Sequence, residues 1–266
     1  MTASTDTPLA HAHPRVVAPA HATGASTATQ VVALDMSRLE RAGHVIPTRG
    51  RSLLGEEFRR IKHHLLSRIR HAQSPEERMT LIGVTSALPG EGKTTTAINL
   101  ALSMSAEIDT TVLLVDADVL RPDVLHRLGV APRPGLLDLL ESPGMDPRDV
   151  LLKTNVPKLT VLPAGRAREN AAELLSSEAM DDLLDTLVAQ SPRQVIVFDA
   201  PPLLLSTESR ALAHRMGQIV VVVEAGKTPR SAVTQAFAAI DDCPHVLALL
   251  NKASEASHFG YDDYYG

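Results

Sequence analysis

Residues 80–105, TLIGVTSALPGEGKTTTAINLALSMS, carry three signals in succession. The run 80–85 is short, aliphatic and β-branched and reads as a strand. ALPGEGKT (87–94) is a glycine turn, and 95–105 has the apolar spacing of a helix. The turn matches GxxxxGK(S/T) with Ala87 in the first glycine position, and a strand before it and a helix after it are the setting this motif needs. Backbone N–H groups from Gly90 to Thr94, at the N-terminus of the following helix, can surround phosphate oxygens. Gly90 and Gly92 allow the backbone a close approach, and Pro89, Glu91 and Thr95 complete the expected ATP-binding set. Lys93 would reach the β- and γ-phosphates, and the Thr94 hydroxyl would join the shell of a Mg²⁺ ion. A plain glycine turn before an ordinary helix is the competing reading, which the flanking strand and helix disfavour.

Outward from this stretch, apolar runs at 112–115, 159–162, 195–198, 219–223 and 246–250 alternate with helical segments. Continuous apolar strands separated by helices are what a parallel sheet covered on both faces requires. The expected fold is therefore α/β and doubly wound, with a mainly parallel sheet of the P-loop NTPase, partitioning-ATPase-like type. Ligands of such sheets sit beyond the carboxyl ends of the strands. There VLLVDAD (112–118) presents Asp116 and Asp118, and VIVFDAPP (195–202) presents Asp199. Mg²⁺ needs only one or two nearby carboxylates, so Asp199 and Asp116 join Thr94 as candidate metal residues. Lys93, Asp116, Asp118 and Asp199 are the catalytic candidates. Either Asp116 or Asp118 could accept the proton of an incoming hydroxyl or orient a water, and the sequence does not apportion those roles. Each could also be a strand-end aspartate capping the next helix.

The 266 residues, 44% hydrophobic and 21% charged, suffice for one substantial core. A net charge of −5 argues against binding nucleic acid, which is built on clustered cations. Cys243 is the only cysteine, which excludes an intrachain disulfide and a Cys/His zinc cluster of ordinary spacing and fits a cytoplasmic setting. The apolar runs are far shorter than the roughly 20 residues that span a bilayer, so any membrane connection is expected through a partner. Residues 1–32 are rich in Ala, Thr, His and Pro and read as a disordered arm. Helices are expected over 33–43 and 53–70, the latter with Leu54, Phe58, Ile61 and Leu65 on one stripe, within an N-terminal helical segment 33–75. The P-loop domain spans 76–252, and 253–266 is a tail.

Together GEGKTT, VLLVDADVLRP and VIVFDAPPLL resemble, in order and spacing, the bacterial tyrosine kinases that accompany capsule and exopolysaccharide export. The likeness covers residues 50–266 and includes Gly135-Leu136, Pro163 to Gly165 and Glu173 to Ser177. It implies an ATP- and Mg²⁺-dependent tyrosine autokinase that regulates polysaccharide chain length or export. Asn251 in LLNK resembles the family's adenine contact, although it could equally be a strand-end turn residue. Glu56, Arg59 and Lys62 resemble a Glu-x-x-Arg-x-x-Arg signature that implies a homo-oligomer, a ring in that family, with Lys62 lacking the guanidinium fork. The resemblance further implies a transmembrane activator, here supplied as a separate chain, that would hold the kinase at the inner membrane. Leu120 departs from the family, which often carries a basic residue beside the arginine matching Arg121.

All three tyrosines, Tyr261, Tyr264 and Tyr265, lie in FGYDDYYG at 259–266. Tyrosine used for packing would be distributed among the core elements. Residues 253–266 could extend on the order of 45 Å from the sheet edge that carries the phosphate loop, which makes these tyrosines candidate phosphate acceptors and the tail the enzyme's own substrate. A partitioning-type ATPase of the ParA and MinD kind is the alternative enzyme, but Leu88 stands where those proteins carry a signature lysine. A nucleotide-responsive assembly subunit without catalysis is a further alternative.

Overall fold

Alternation along each strand sends its side chains to two different cores. In β3 (Thr111–Asp116), Leu113 and Val115 enter one and Val112 and Leu114 the other. β2 (Leu81–Ser86) divides likewise, Leu81 to the first and Ile82 and Val84 to the second. Both faces are therefore buried, which is why these strands read as unbroken apolar runs. The computed structural model describes residues 1, 31–47, 52–74, 78–191 and 193–253.

With β1 (Val31–Val32), β4 (Leu152–Thr154), β5 (Leu159–Leu162), β6 (Gln194–Asp199), β7 (Gln218–Glu224) and β8 (Val246–Asn251), the described strands form one sheet in the order β1-β4-β5-β3-β6-β2-β7-β8. β5, β3, β6, β2, β7 and β8 are mutually parallel, and β4 pairs antiparallel with β5. The six expected apolar runs are these six parallel strands. β1 and β4 were not anticipated, because two and three residues carry no usable alternation and are recruited by backbone pairing at the sheet edge. Val31 and Val32, read from sequence as the end of the arm, thus pair with Lys153 and Thr154.

One face is covered by α1 (Met36–Arg41), α2 (Leu53–Arg70), α3 (Lys93–Ser105) and α4 (Val124–Leu128), and the other by α5 (Leu136–Glu141), α6 (Ala171–Ser176), α7 (Glu178–Ala189), α8 (Thr207–Ala213) and α9 (Arg230–Ala238). α2 has the expected bounds, buries Phe58 and Leu65, and packs Leu54 and Ile61 partly against the same core. α1 is shorter than expected because the Asp35 carboxylate accepts the N–H groups of Ser37 and Arg38 and sets its start. Gly135 touches Pro163 and Gly165 so closely that a side chain there would meet backbone, which joins two segments singled out in the sequence. Among the described residues, no helix is long and apolar enough to cross a membrane.

Candidate nucleotide and phosphoryl-transfer site

The phosphate loop needs its glycines, since Gly90 and Gly92 hold φ of +85° and +103° in the left-handed region. Between them Glu91 is buried and turned inward. Its carboxylate accepts the Leu88 N–H at 2.7 Å and the Thr228 hydroxyl. Ser86 Oγ donates to the Leu88 carbonyl at 2.7 Å. From the β8 side, Asn251 Nδ2 donates to the Glu91 carbonyl at 2.8 Å and Lys252 Nζ to the Gly90 carbonyl at 2.7 Å. The loop is thus braced through its carbonyls and one turn amide. α3 begins at Lys93, two residues earlier than the helical run read from sequence, and no side chain caps its first turn, so its N–H groups point at an anion site.

Register brings the acids together: Asp116 and Asp199 are paired residues of β3 and β6, and β6 lies beside β2, from which the loop departs. Lys93 Nζ sits 2.5 Å from Asp118 Oδ2 and 3.5 Å from Asp199 Oδ1. Burial would lower the Lys93 pKa, but the charges of Asp199, Asp118 and Asp116 outweigh it and raise it. Burial lifts Asp199 to about 6, with Lys93 opposing. Asp116 is pushed well above the ordinary carboxylate range by burial and then by the charge of Asp199. Asp116 Oδ2 accepts the Val124 N–H at 3.1 Å at the start of α4, so part of its role is the helix cap that its strand-end position suggests.

Among the described residues, Asp116 Oδ1 and both oxygens of Asp199 are buried without a close hydrogen-bond donor, Lys93 Nζ standing 3.5 Å from Asp199 Oδ1. Orphaned buried carboxylate oxygens are costly unless something else satisfies them. Hard oxygen donors beside a threonine hydroxyl are what Mg²⁺ takes, so Thr94, Asp116 and Asp199 fit that ion. A cavity of about 320 Å³ opens next to them, lined by Gly90, Lys93 and Thr94 and by Asp118, Arg121 and Leu205. That volume is within the range of small-molecule sites, roughly 300–1,000 Å³.

Pro89, Gly90, Gly92, Lys93, Thr94 and Asp118 line this cavity as a group, whereas Asp116, Asp199 and Glu91 are buried and outside its lining. The Thr95 hydroxyl accepts Arg127 Nη1 at 3.1 Å, and Arg127 Nε is held by Asp123 at 2.5 Å. Arg127, Thr228 and Lys252 were not found by sequence reasoning. Lys252, next to Asn251 at a positive φ of 57°, left a weak local signal, and the other two are brought in only by folding.

Of the three α2 charges, Glu56 and Arg59 pair on the surface at 2.5 Å. Lys62 is placed differently from the other two. It is buried, with Nζ 2.7 Å from Glu107 Oε1 and 3.2 Å from the Ser103 carbonyl, so it is engaged within its own chain. Tyr261, Tyr264 and Tyr265 lie outside the described residues.

A mainly parallel α/β sheet with this loop and these strand-end acids defines a P-loop NTPase, and residues 79–250 match the family model of an AAA domain. The tyrosine-protein kinase YwqD of Bacillus subtilis (strain 168) is 33% identical over 230 residues, which are 85% of this chain and 92% of that protein. The succinoglycan biosynthesis transport protein ExoP of Rhizobium meliloti (strain 1021) is 33% identical over 202 residues, 75% of this chain but 25% of its own length. Among solved structures, the VpsO kinase domain superposes with a TM-score of 0.60 at 29% identity, covering 76% of this chain and 100% of that one. The chimerical protein CapA2B2 gives 0.65 at 25% identity, covering 82% and 93%. The chain belongs to the bacterial tyrosine kinase family of capsule and exopolysaccharide biosynthesis.

Proposed function

We propose that the chain is a protein-tyrosine autokinase that transfers the γ-phosphoryl group of Mg-ATP to Tyr261, Tyr264 and Tyr265 and so regulates exopolysaccharide chain length or export. The observation that carries this reading is the Lys93 ammonium lodged between Asp118 and Asp199 at the mouth of a braced phosphate loop. Incoming phosphates offer Lys93 a stronger partner than Asp118, and its departure frees an Asp118 oxygen that lines the cavity. Asp118 then accepts the phenol proton as the tyrosine oxygen bonds to phosphorus and the bond from phosphorus to the ADP oxygen breaks. Thr94, Asp116 and Asp199 would hold Mg²⁺, which supplies charge neutralisation on the phosphates when bound. Asn251 stands at the β8 side of the loop, where the family resemblance sets the base.

The kinase would act on its own tail and on no single fixed protein substrate, assemble as a homo-oligomer through Glu56 and Arg59, and sit at the inner membrane through a separate transmembrane activator. ExoP, a transport protein four times longer than the matched region, supports a membrane context for the family. The test is incubation of the full chain, assembled with its activator, with Mg-ATP, followed by mass-spectrometric mapping of phosphate. Tail phosphotyrosine in wild type and none in Lys93→Met is the expected outcome. Rapid ATP hydrolysis with an unmodified tail would instead identify a switch ATPase and overturn the reading.

A further inference from the structure

Sheet order sorts the surroundings of the phosphate loop into two sides. The loop follows β2. Asn251 ends β8, two strands away in one direction, while Asp118, Leu120 and Arg121 follow β3, two strands away in the other, and Leu205 follows β6 between them. Asn251 and Lys252 are bonded to the loop backbone from the β8 side. A nucleotide whose base lies toward Asn251 therefore directs its terminal phosphate toward the β6 and β3 side.

On that side Leu120 and Leu205 are 55% and 64% exposed, and both line the cavity. Single exposed leucines need no explanation, but two lining one cleft present an apolar contact surface. Arg121 lines the same cleft and is exposed. Its backbone N–H bonds to Asp118, while its guanidinium has no ion-pair partner among the described residues. Arg127, also in the lining, is already held by Asp123. The surface thus pairs apolar side chains with one unengaged cation a few residues from the Asp118 carboxylate. This suits an aromatic ring with a phenol, flanked by acids. The chain carries such a segment at 259–266, FGYDDYYG, with Asp262 and Asp263 between its tyrosines.

We propose that Leu120, Leu205 and Arg121 form the docking platform for the acceptor segment 259–266. The leucines receive a tyrosine ring and Arg121 pairs with Asp262 or Asp263. The proposal rests on the autokinase reading and assigns that reaction its acceptor-specificity residues.

The experiment uses the full chain with its activator and Mg-ATP, adds the synthetic peptide 259–266 as a competing acceptor, and compares wild type with Leu120→Ser/Leu205→Ser and with Arg121→Gln. Nucleotide affinity is measured separately with a fluorescent ATP analogue. The expected result is a peptide KM raised about tenfold in the leucine variant, the effect of leaving one large side chain without its apolar contact. Nucleotide affinity should fall by less than the peptide KM rises, and the Arg121→Gln defect should shrink when the peptide carries Asn in place of both aspartates. Arg121→Lys should recover part of the loss. An unchanged peptide KM overturns the platform, as does nucleotide affinity falling in step with it. A wild type that binds Mg-ATP yet phosphorylates neither tail nor peptide overturns the autokinase reading itself.

Discussion

Replacing Asp199 by Asn should stabilise the nucleotide-free protein while abolishing phosphoryl transfer. Asp199 is fully buried, Lys93 Nζ stands 3.5 Å from its Oδ1, and burial nonetheless lifts its carboxyl to about 6 from an ordinary 3.8. That difference corresponds to a penalty of about 3 kcal/mol for keeping the folded protein's carboxylate charged at neutral pH. An Asn side chain of the same shape removes the charge but buries amide N–H groups, which returns about 1 kcal/mol of the gain. A net gain of about 2 kcal/mol remains, equivalent to a melting shift of about 5 °C in a chain of this size. The sign of the pH dependence follows from the raised pKa. The folded state holds the Asp199 proton more tightly than the unfolded chain, so wild type gains stability as pH falls through 6 toward 3.8, and the penalty is complete above 6. The advantage of Asp199→Asn should accordingly be full at pH 8 and fade between pH 6 and 4. Urea and thermal melts in EDTA, without nucleotide, measure it. Adding Mg-ATP should then stabilise wild type more than the variant. A variant less stable than wild type at pH 8, or an offset independent of pH, would refute the assignment of Asp199 as a charge buried at a net cost that Lys93 only partly offsets.

Further outcomes follow from the bracing of the loop and from α2. Gly92→Ala sets a side chain against Asn251 Nδ2 at a φ of +103°, and should lower ATP affinity at least tenfold. Adding Asn251→Ala relieves the contact but leaves the backbone strain of about 1–2 kcal/mol, so a nucleotide titration of the double variant should show partial recovery only. Lys62→Met should cost the protomer about 1–2 kcal/mol in a denaturant melt through loss of the Glu107 and Ser103 bonds. Arg59→Ala, at the surface, should change melting by less than about 0.5 kcal/mol yet reduce the assembled mass seen by light scattering. The opposite pattern would return Lys62 to the subunit contact.

Much of the site was legible because its parts are contiguous. GEGKTT carries its own turn geometry in Gly90 and Gly92, and a strand followed by a helix sets the direction in which its amides point. VLLVDAD and VIVFDAPP each place an acid at the end of a buried strand, and parallel pairing then puts Asp116 opposite Asp199. Helical spacing sets Lys62 with Glu56 and Arg59, whereas its contacts with the Ser103 carbonyl and Glu107 come from α3 and the turn after it and leave no local mark. The Glu91 carboxylate meets the hydroxyl of Thr228, 137 residues away, a contact that no local pattern announces.

By itself the sequence determined the parallel α/β class, the phosphate loop and the sheet edge at which the acids gather, since apolar period and glycine placement act through local backbone conformation. Only the tertiary structure decided that Lys93 rests on Asp118, that Asn251 and Lys252 brace the loop, and that Leu120, Arg121 and Leu205 line one cavity. Those contacts join distant elements whose packing leaves no periodic mark along the chain, and each depends on the sheet order that brings β3, β6, β2 and β8 to a common edge.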